Sequence, residues 1–204
     1  MTRGPLPRLV TERLVVRPPG PSDAARVARY WRANEAFHAR SSPVQREEFY
    51  TDAFWEERIP SLAAERRRGE SLRVFLFDPR EERVLGHASL TRITRGAFHA
   101  ANLGYSLDRR AEGLLAHAFG PMGLHRVEAN HLPSNRRSAA VLRRLGFRRE
   151  GLARDYLLID GRWQDHVLNS LTNREWIAPG ASPESGRPPR RGAGRPSVRG
   201  RRRV

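Results

Sequence analysis

The segment spanning residues 103–126, LGYSLDRRAEGLLAHAFGPMGLHR, holds the first residues with an evident chemical use. A strand-like run over 103–107 meets Arg110-Ala111-Glu112-Gly113. An Arg-x-x-Gly turn can aim backbone N–H groups at a phosphate, and a helix N-terminus behind it would add its dipole. Yet only about six helix-favouring residues follow before Gly120 and Pro121 break the pattern. Other chemistries are poorly served. The chain has no cysteine, which excludes disulfides, thiolate metal sites and a cysteine nucleophile. Its seven histidines show no metal-ligand spacing. His87, His99, His117, His125, His131 and His166 stand singly in strand or helix patterns and read as packing or surface residues.

The elements that must position such a turn are legible in order. A short strand covers 13–18. Ser22 or Asp23 can cap a helix reaching about Ala36, with Val27, Tyr30 and Trp31 on one side. A second helix is expected over 46–68, bent at Pro60 and stopped by Gly69. Strands follow at 72–78, 84–93 and 99–107, with a turn at 79–83. Residues 125–132 form a further strand. Ser134 or Asn135 caps a helix that Gly146 ends, with Ala139, Leu142 and Leu145 at helical spacing. Asp160-Gly161 between two β-rich arms marks a closing hairpin. This order predicts a mixed α/β sheet with helices on its faces.

Composition bounds the rest. At 204 residues the chain suggests one domain with a real core. No run nears the roughly 18 apolar residues of a membrane span, and the N-terminus lacks the apolar core of a signal peptide. We therefore expect a cytoplasmic protein with no membrane partner. The formal charge is +16, and all 38 basic residues are arginine. Residues 178–204 carry eight Arg against one Glu and almost nothing apolar, so a disordered tail is expected there. Such a tail attracts RNA phosphate non-specifically, or serves only as a solubilising extension. The expected organisation is a leader over 1–8, a domain over 9–177 and the tail.

The segments LGYSLD, GLHRVEANHLPSNRRSAAVLRRLGF, EGLARDYLLIDGRW, DHVLNSL and NREW together resemble the GNAT superfamily of acetyltransferases. They look most like its RimJ/RimL branch, which acetylates protein N-termini, including those of ribosomal proteins. DYLLIDGRWQDHVL points to the RimJ side of that branch. The resemblance covers roughly residues 9–177. It implies a mostly antiparallel sheet with one splayed parallel strand pair. Acetyl-CoA lies in that opening and gives its acetyl group to the α-amine of a protein N-terminus, one that begins with alanine or serine. Two further readings remain open: a catalytically impaired relative that binds ribosome or RNA, and a transferase acting on small amines.

The resemblance also assigns residues. The splayed pair would end near Leu107 and Leu132. Backbone groups of Leu103, Gly104, Tyr105 and Ser106 would hold the cofactor and polarise the thioester oxygen. A donor so placed lowers a barrier by a few kcal/mol. Gly104 would allow close approach, although it could equally mark a β-bulge. Asn135 matches a position that contacts the cofactor arm, besides being a helix cap. Ser138 would protonate the departing thiolate, or else bond only to backbone. Asp155 would act as base toward the amine, or pair with Arg154 or Arg149. Tyr105 and Tyr156 are further candidates for the acid. Arg110 and Gly113 supply the first half of the pyrophosphate motif, Gln/Arg-x-x-Gly-x-Gly/Ala.

The second half departs from that pattern. Leu115 stands where Gly or Ala belongs, and about ten helical residues, some 15 Å, are missing before AFGPMGLHR. Seventeen residues separate Leu107 from His125, enough for a crossover but only for a stub of six to eight helical residues, about 9–12 Å. A degraded enzyme, a weakened cofactor site or a deletion in the sequence would each account for it.

Overall fold

The computed structural model describes residues 8–39, 42–106 and 111–177. The tail and Arg110 lie outside the described residues. Among the described residues, eight strands form one sheet: β1 (Leu9–Thr11), β2 (Leu14–Arg17), β3 (Leu72–Phe77), β4 (Val84–Thr94), β5 (Ala100–Tyr105), β6 (Arg126–Glu128), β7 (Arg148–Ile159) and β8 (Arg162–Thr172). Their order across the sheet is β1-β2-β3-β4-β5-β6-β8-β7. Among the described residues only β5 and β6 run parallel. The remaining neighbours are antiparallel. The mixed sheet read from the sequence is therefore the one observed.

Among the described residues, five α-helices cover its faces: α1 (Ala24–Ala33), α2 (Glu35–Ala39), α3 (Asp52–Arg68), α4 (Ala111–Phe119) and α5 (Arg136–Arg144). Side-chain alternation on β2 and β3 sorts residues into two cores. Val15, Phe75 and Phe77 pack with Val27, Tyr30, Trp31 and Trp55 beneath α1 and α3. Leu14, Val16, Val74 and Leu76 pack on the other face with Leu114, Leu115, Ala118 and Leu142 from α4 and α5. At one edge of the first core, Asp23 is buried and receives hydrogen bonds from Arg17 and the Gly20 N–H. Burial alone would raise its carboxyl pKa, but these donors outweigh it and the value falls below the ordinary range.

Several boundaries differ from expectation for local reasons. The first helix stops at Ala33 because Asn34 leaves helical geometry (φ −117°, ψ 13°), and a short second helix follows. The second predicted helix begins at Asp52, not Arg46. Thr51 is extended and its hydroxyl accepts from the Phe54 N–H at 3.2 Å, while Glu47–Tyr50 form a separate 3-10 turn. The helix continues through Pro60 to Arg68, and Gly69 ends it at φ 74°. The strand expected over 125–132 is paired only over Arg126–Glu128, with an isolated bridge at His131. Strand β1, absent from the expected elements, pairs with β2 at the sheet edge. The hairpin turn is as read: Asp160 and Gly161 both have positive φ, 50° and 69°, which suits a two-residue turn.

Candidate active site

The site begins with an alternation. The Ser106 N–H donates to the His87 carbonyl at 2.9 Å, extending the β4–β5 ladder in register. In an antiparallel ladder, alternate residues turn their main-chain groups toward the neighbour. Gly104 and Ser106 therefore direct theirs at β4. Leu103 and Tyr105 direct theirs the other way, toward β6. But β6 leaves. Parallel pairing stops at Asn102–Glu128. The chain beyond follows β8 instead: the Ala129 N–H donates to the Asn169 carbonyl at 3.0 Å, and His131 bridges Val167. The expected divergence is thus present, and it opens opposite Leu103 and Tyr105.

Helix α5 forms the far side of this opening. The Asn135 side-chain oxygen accepts from the Ser138 N–H at 3.0 Å, capping the helix and fixing its first turn. The Ser138 hydroxyl lies 2.8 Å from the Tyr105 phenol oxygen. Three of the residues singled out in the sequence, Tyr105, Asn135 and Ser138, therefore come together across the gap. Gly104 is exposed and in regular register with Ser89, so no bulge explains it. A Cβ there would sit 3.1 Å from Ser89 Oγ, tighter than ordinary contact.

Asp155 lies apart from this group, in the irregular register between Ala153 and Leu157 of β7, at φ 46°. Its N–H donates to Asp165 Oδ1 at 3.0 Å and its carboxylate is exposed. Among the described residues it forms no ion pair with Arg149 or Arg154. Its neighbour Tyr156 accepts from Asn130 Nδ2 at 3.2 Å, and Asn130 belongs to the segment that diverges from β5. The bulge thus adjoins the wall of the opening.

The crossover is short, as the sequence implied. Helix α4 has nine residues, a little over the stub expected, or about 13 Å. Gly113 lies in its first turn, where a Cβ would collide with Leu9 Cδ1 of β1. Leu115, placed where the phosphate motif calls for Gly or Ala, is buried in the core beneath the helix. The departure from the motif has a packing cause: with so few residues, each must help cover the sheet.

Sequence reading missed a second group. The Tyr30 phenol lies 2.8 Å from Ser106 Oγ and 3.1 Å from His38 Nε2. The His87 N–H donates to the same Ser106 oxygen at 3.0 Å. Tyr30 was legible only as one member of an apolar helix face. Burial raises the Tyr30 pKa and lowers that of His38. It pushes the His87 imidazole down to about 3, with the nearby His38 and Arg73 adding to the effect. His38 also lines a cavity of about 400 Å³ together with Trp31, Phe49, Trp55 and Arg73.

A gap between parallel strands, with main-chain groups at strand spacing on one lip and a capped helix on the other, fits an extended amide-bearing arm. The sequence also matches a family model described as an acetyltransferase (GNAT) domain over residues 13–148. The chain belongs to that family: it is an N-acetyltransferase whose co-substrate is acetyl-CoA. A relative in Escherichia coli (strain K12), [ribosomal protein uS5]-alanine N-acetyltransferase, is 40% identical over 182 residues, spanning 84% of this chain and 94% of that protein. The crystal structure of ribosomal-protein-S5-alanine acetyltransferase from Vibrio fischeri matches with a TM-score of 0.81 at 33% identity, over 84% of this chain and 99% of that one. Mycobacterium smegmatis RimJ in complex with CoA-disulfide matches with a TM-score of 0.71 at 30% identity, over 85% and 87%. No helix among the described residues is long and apolar enough to cross a membrane.

Proposed function

We propose that this enzyme acetylates the α-amine of an N-terminal alanine on a ribosomal protein, uS5 being the acceptor that its relatives indicate. The single observation that carries the reading is the 40% identity to the uS5-alanine acetyltransferase over nearly the whole of that protein. Acetyl-CoA supplies the acetyl thioester. Leu103 and Tyr105 present the main-chain groups that hold the pantetheine arm and polarise the thioester oxygen. Gly104 keeps a side chain out of the approach, and Ser106 closes the strand at the mouth of the opening. Asn135 fixes the first turn of α5 beside the cofactor arm. Arg110 and Gly113 are assigned to the pyrophosphate end. Ser138, paired with Tyr105, delivers a proton to the departing thiolate, whose unperturbed pKa of about 8.5 makes that proton useful. Asp155 accepts the proton of the incoming amine at the rim of the opening.

The test is mass spectrometry on synthetic peptides incubated with enzyme and acetyl-CoA. A mass gain on the α-amine of an alanine-first peptide, with little on small amines, is the expected result. Modification of small amines alone would overturn the proposal. A second activity rests on the tail, whose residues 178–204 carry a net +7. It contacts RNA phosphate while the cytoplasmic enzyme works near the ribosome. Removing residues 178–204 should abolish salt-sensitive RNA binding, whose slope against log salt is roughly −5 for about seven neutralised phosphates on a single strand. Peptide acetylation should persist.

A further inference from the structure

The acetylation balance leaves one proton over. An ammonium substrate loses two N–H protons as the new C–N amide bond forms and the C–S thioester bond breaks. One of them ends on the sulfur. The other must leave the site. The Tyr105–Ser138 pair stands where the sulfur departs, so the second proton needs a separate route.

We propose that this route is the chain Ser106, Tyr30, His38, which leads from the end of β5 to the cavity lined by Trp31, Glu35 and Phe49. The inference rests on the transferase reading above and adds an inner path to the rim carboxylate Asp155. The three side chains come from three separate elements: the end of β5, α1 and α2. Their polar atoms lie at 2.8 and 3.1 Å, within proton-transfer contact.

Donor and acceptor counting fixes the direction. Ser106 Oγ accepts from the His87 N–H, which uses one of its two lone pairs. Its hydroxyl hydrogen can then be donated to the Tyr30 oxygen, and the Tyr30 hydrogen to His38 Nε2. The second lone pair of Ser106 remains for an ammonium N–H. When that proton arrives, each member passes one on and none is left with a net deficit. The His87 main-chain donor thus holds the serine in its working orientation. His38 is the last member and lines the cavity. Around it stand Tyr30, the buried His87, and Glu35, Arg58 and Arg73 on the cavity wall, with Arg58 already paired to Glu65. Burial in the apolar cage of Trp31 and Phe37 disfavours a resting imidazolium, so His38 hands its proton on to water.

Two measurements test this. The first needs no turnover. In 15N NMR of histidine-labelled protein, His38 should be neutral near pH 6 with Nε2 as hydrogen-bond acceptor, and Tyr30→Phe should move that resonance. A His38 that titrates at the ordinary value, near 6.5, and ignores Tyr30→Phe would overturn the chain whether or not the enzyme is active. The second is the pH profile of kcat on an alanine-first peptide. His38→Gln retains an acceptor for the phenol but no useful basicity. It should lower kcat about tenfold to a hundredfold at neutral pH, with KM for acetyl-CoA unchanged. The deficit should shrink above about pH 8, where the amine arrives already deprotonated. A His38→Gln enzyme with the parent profile, beside an Asp155→Asn enzyme that loses all of the neutral-pH rate, would sink the inner route. Absence of acetylation by the parent enzyme itself would instead count against the transferase reading, and the NMR result would still decide the chain.

Discussion

The Tyr105 phenol and the Ser138 hydroxyl meet at 2.8 Å across the opening left where β6 parts from β5. One comes from a strand and the other from a helix 33 residues further on. Each holds the other's rotamer, and the Asn135 cap holds the turn that carries Ser138.

If this pair protonates the leaving thiolate, Tyr105→Phe and Ser138→Ala should each lower kcat by about tenfold to a hundredfold, with KM for the peptide little changed. Because the two act as a unit, the double variant should cost little more than the worse single one. Steady-state kinetics on an alanine-first peptide checks this. Additive losses would show that the hydroxyls act separately.

Gly113 offers a test of packing against helix propensity. Replacing a helical glycine with alanine ordinarily gains up to about 1 kcal/mol. Here the new Cβ would collide with Leu9 Cδ1. Gly113→Ala should be near neutral in the parent chain and stabilising by about 1 kcal/mol in a Leu9→Ala background. Urea denaturation of the four-member cycle measures the coupling.

His87 makes stability depend on mild acid. Its imidazole is neutral in the fold, with a pKa near 3, because burial excludes the charged form. The unfolded chain binds a proton there below about pH 6.5. Between those values the unfolded state holds more protons, so stability falls as pH falls, by at most a few kcal/mol in total. His87→Gln should flatten this part of the urea-midpoint profile between pH 6.5 and 4. The decline from Asp23 should remain. Its depressed carboxyl contributes stability above about pH 3.9 and loses it only as pH falls below that.

Local signals carried the fold a long way. Asp160-Gly161, Gly69 and the Asn135 cap all act through neighbours in sequence, and each is where it was read. The short crossover was visible as a simple residue count. Contacts between distant segments were not visible. Tyr30 and Ser106 are 76 positions apart, and nothing local marks either as the other's partner. Strand β1 was missed because its three residues are exposed, so no buried alternation betrays them. The late start of α3 turned on one hydroxyl, that of Thr51, within a run whose composition is helical throughout.

The polarity of β5 sets what selection can and cannot reach. Past the end of the parallel pairing, Leu103 and Tyr105 offer amides to the opening, and Gly104 spends its own on the sheet. An amide hydrogen belongs to the chain itself, so exchanging Leu103 or Tyr105 for another ordinary residue leaves it in place; only proline would remove it. The main-chain donors at this opening are therefore hard to erase by point substitution. A descendant drifting from its ancestral duty would change first in its side chains and in the length of its loops.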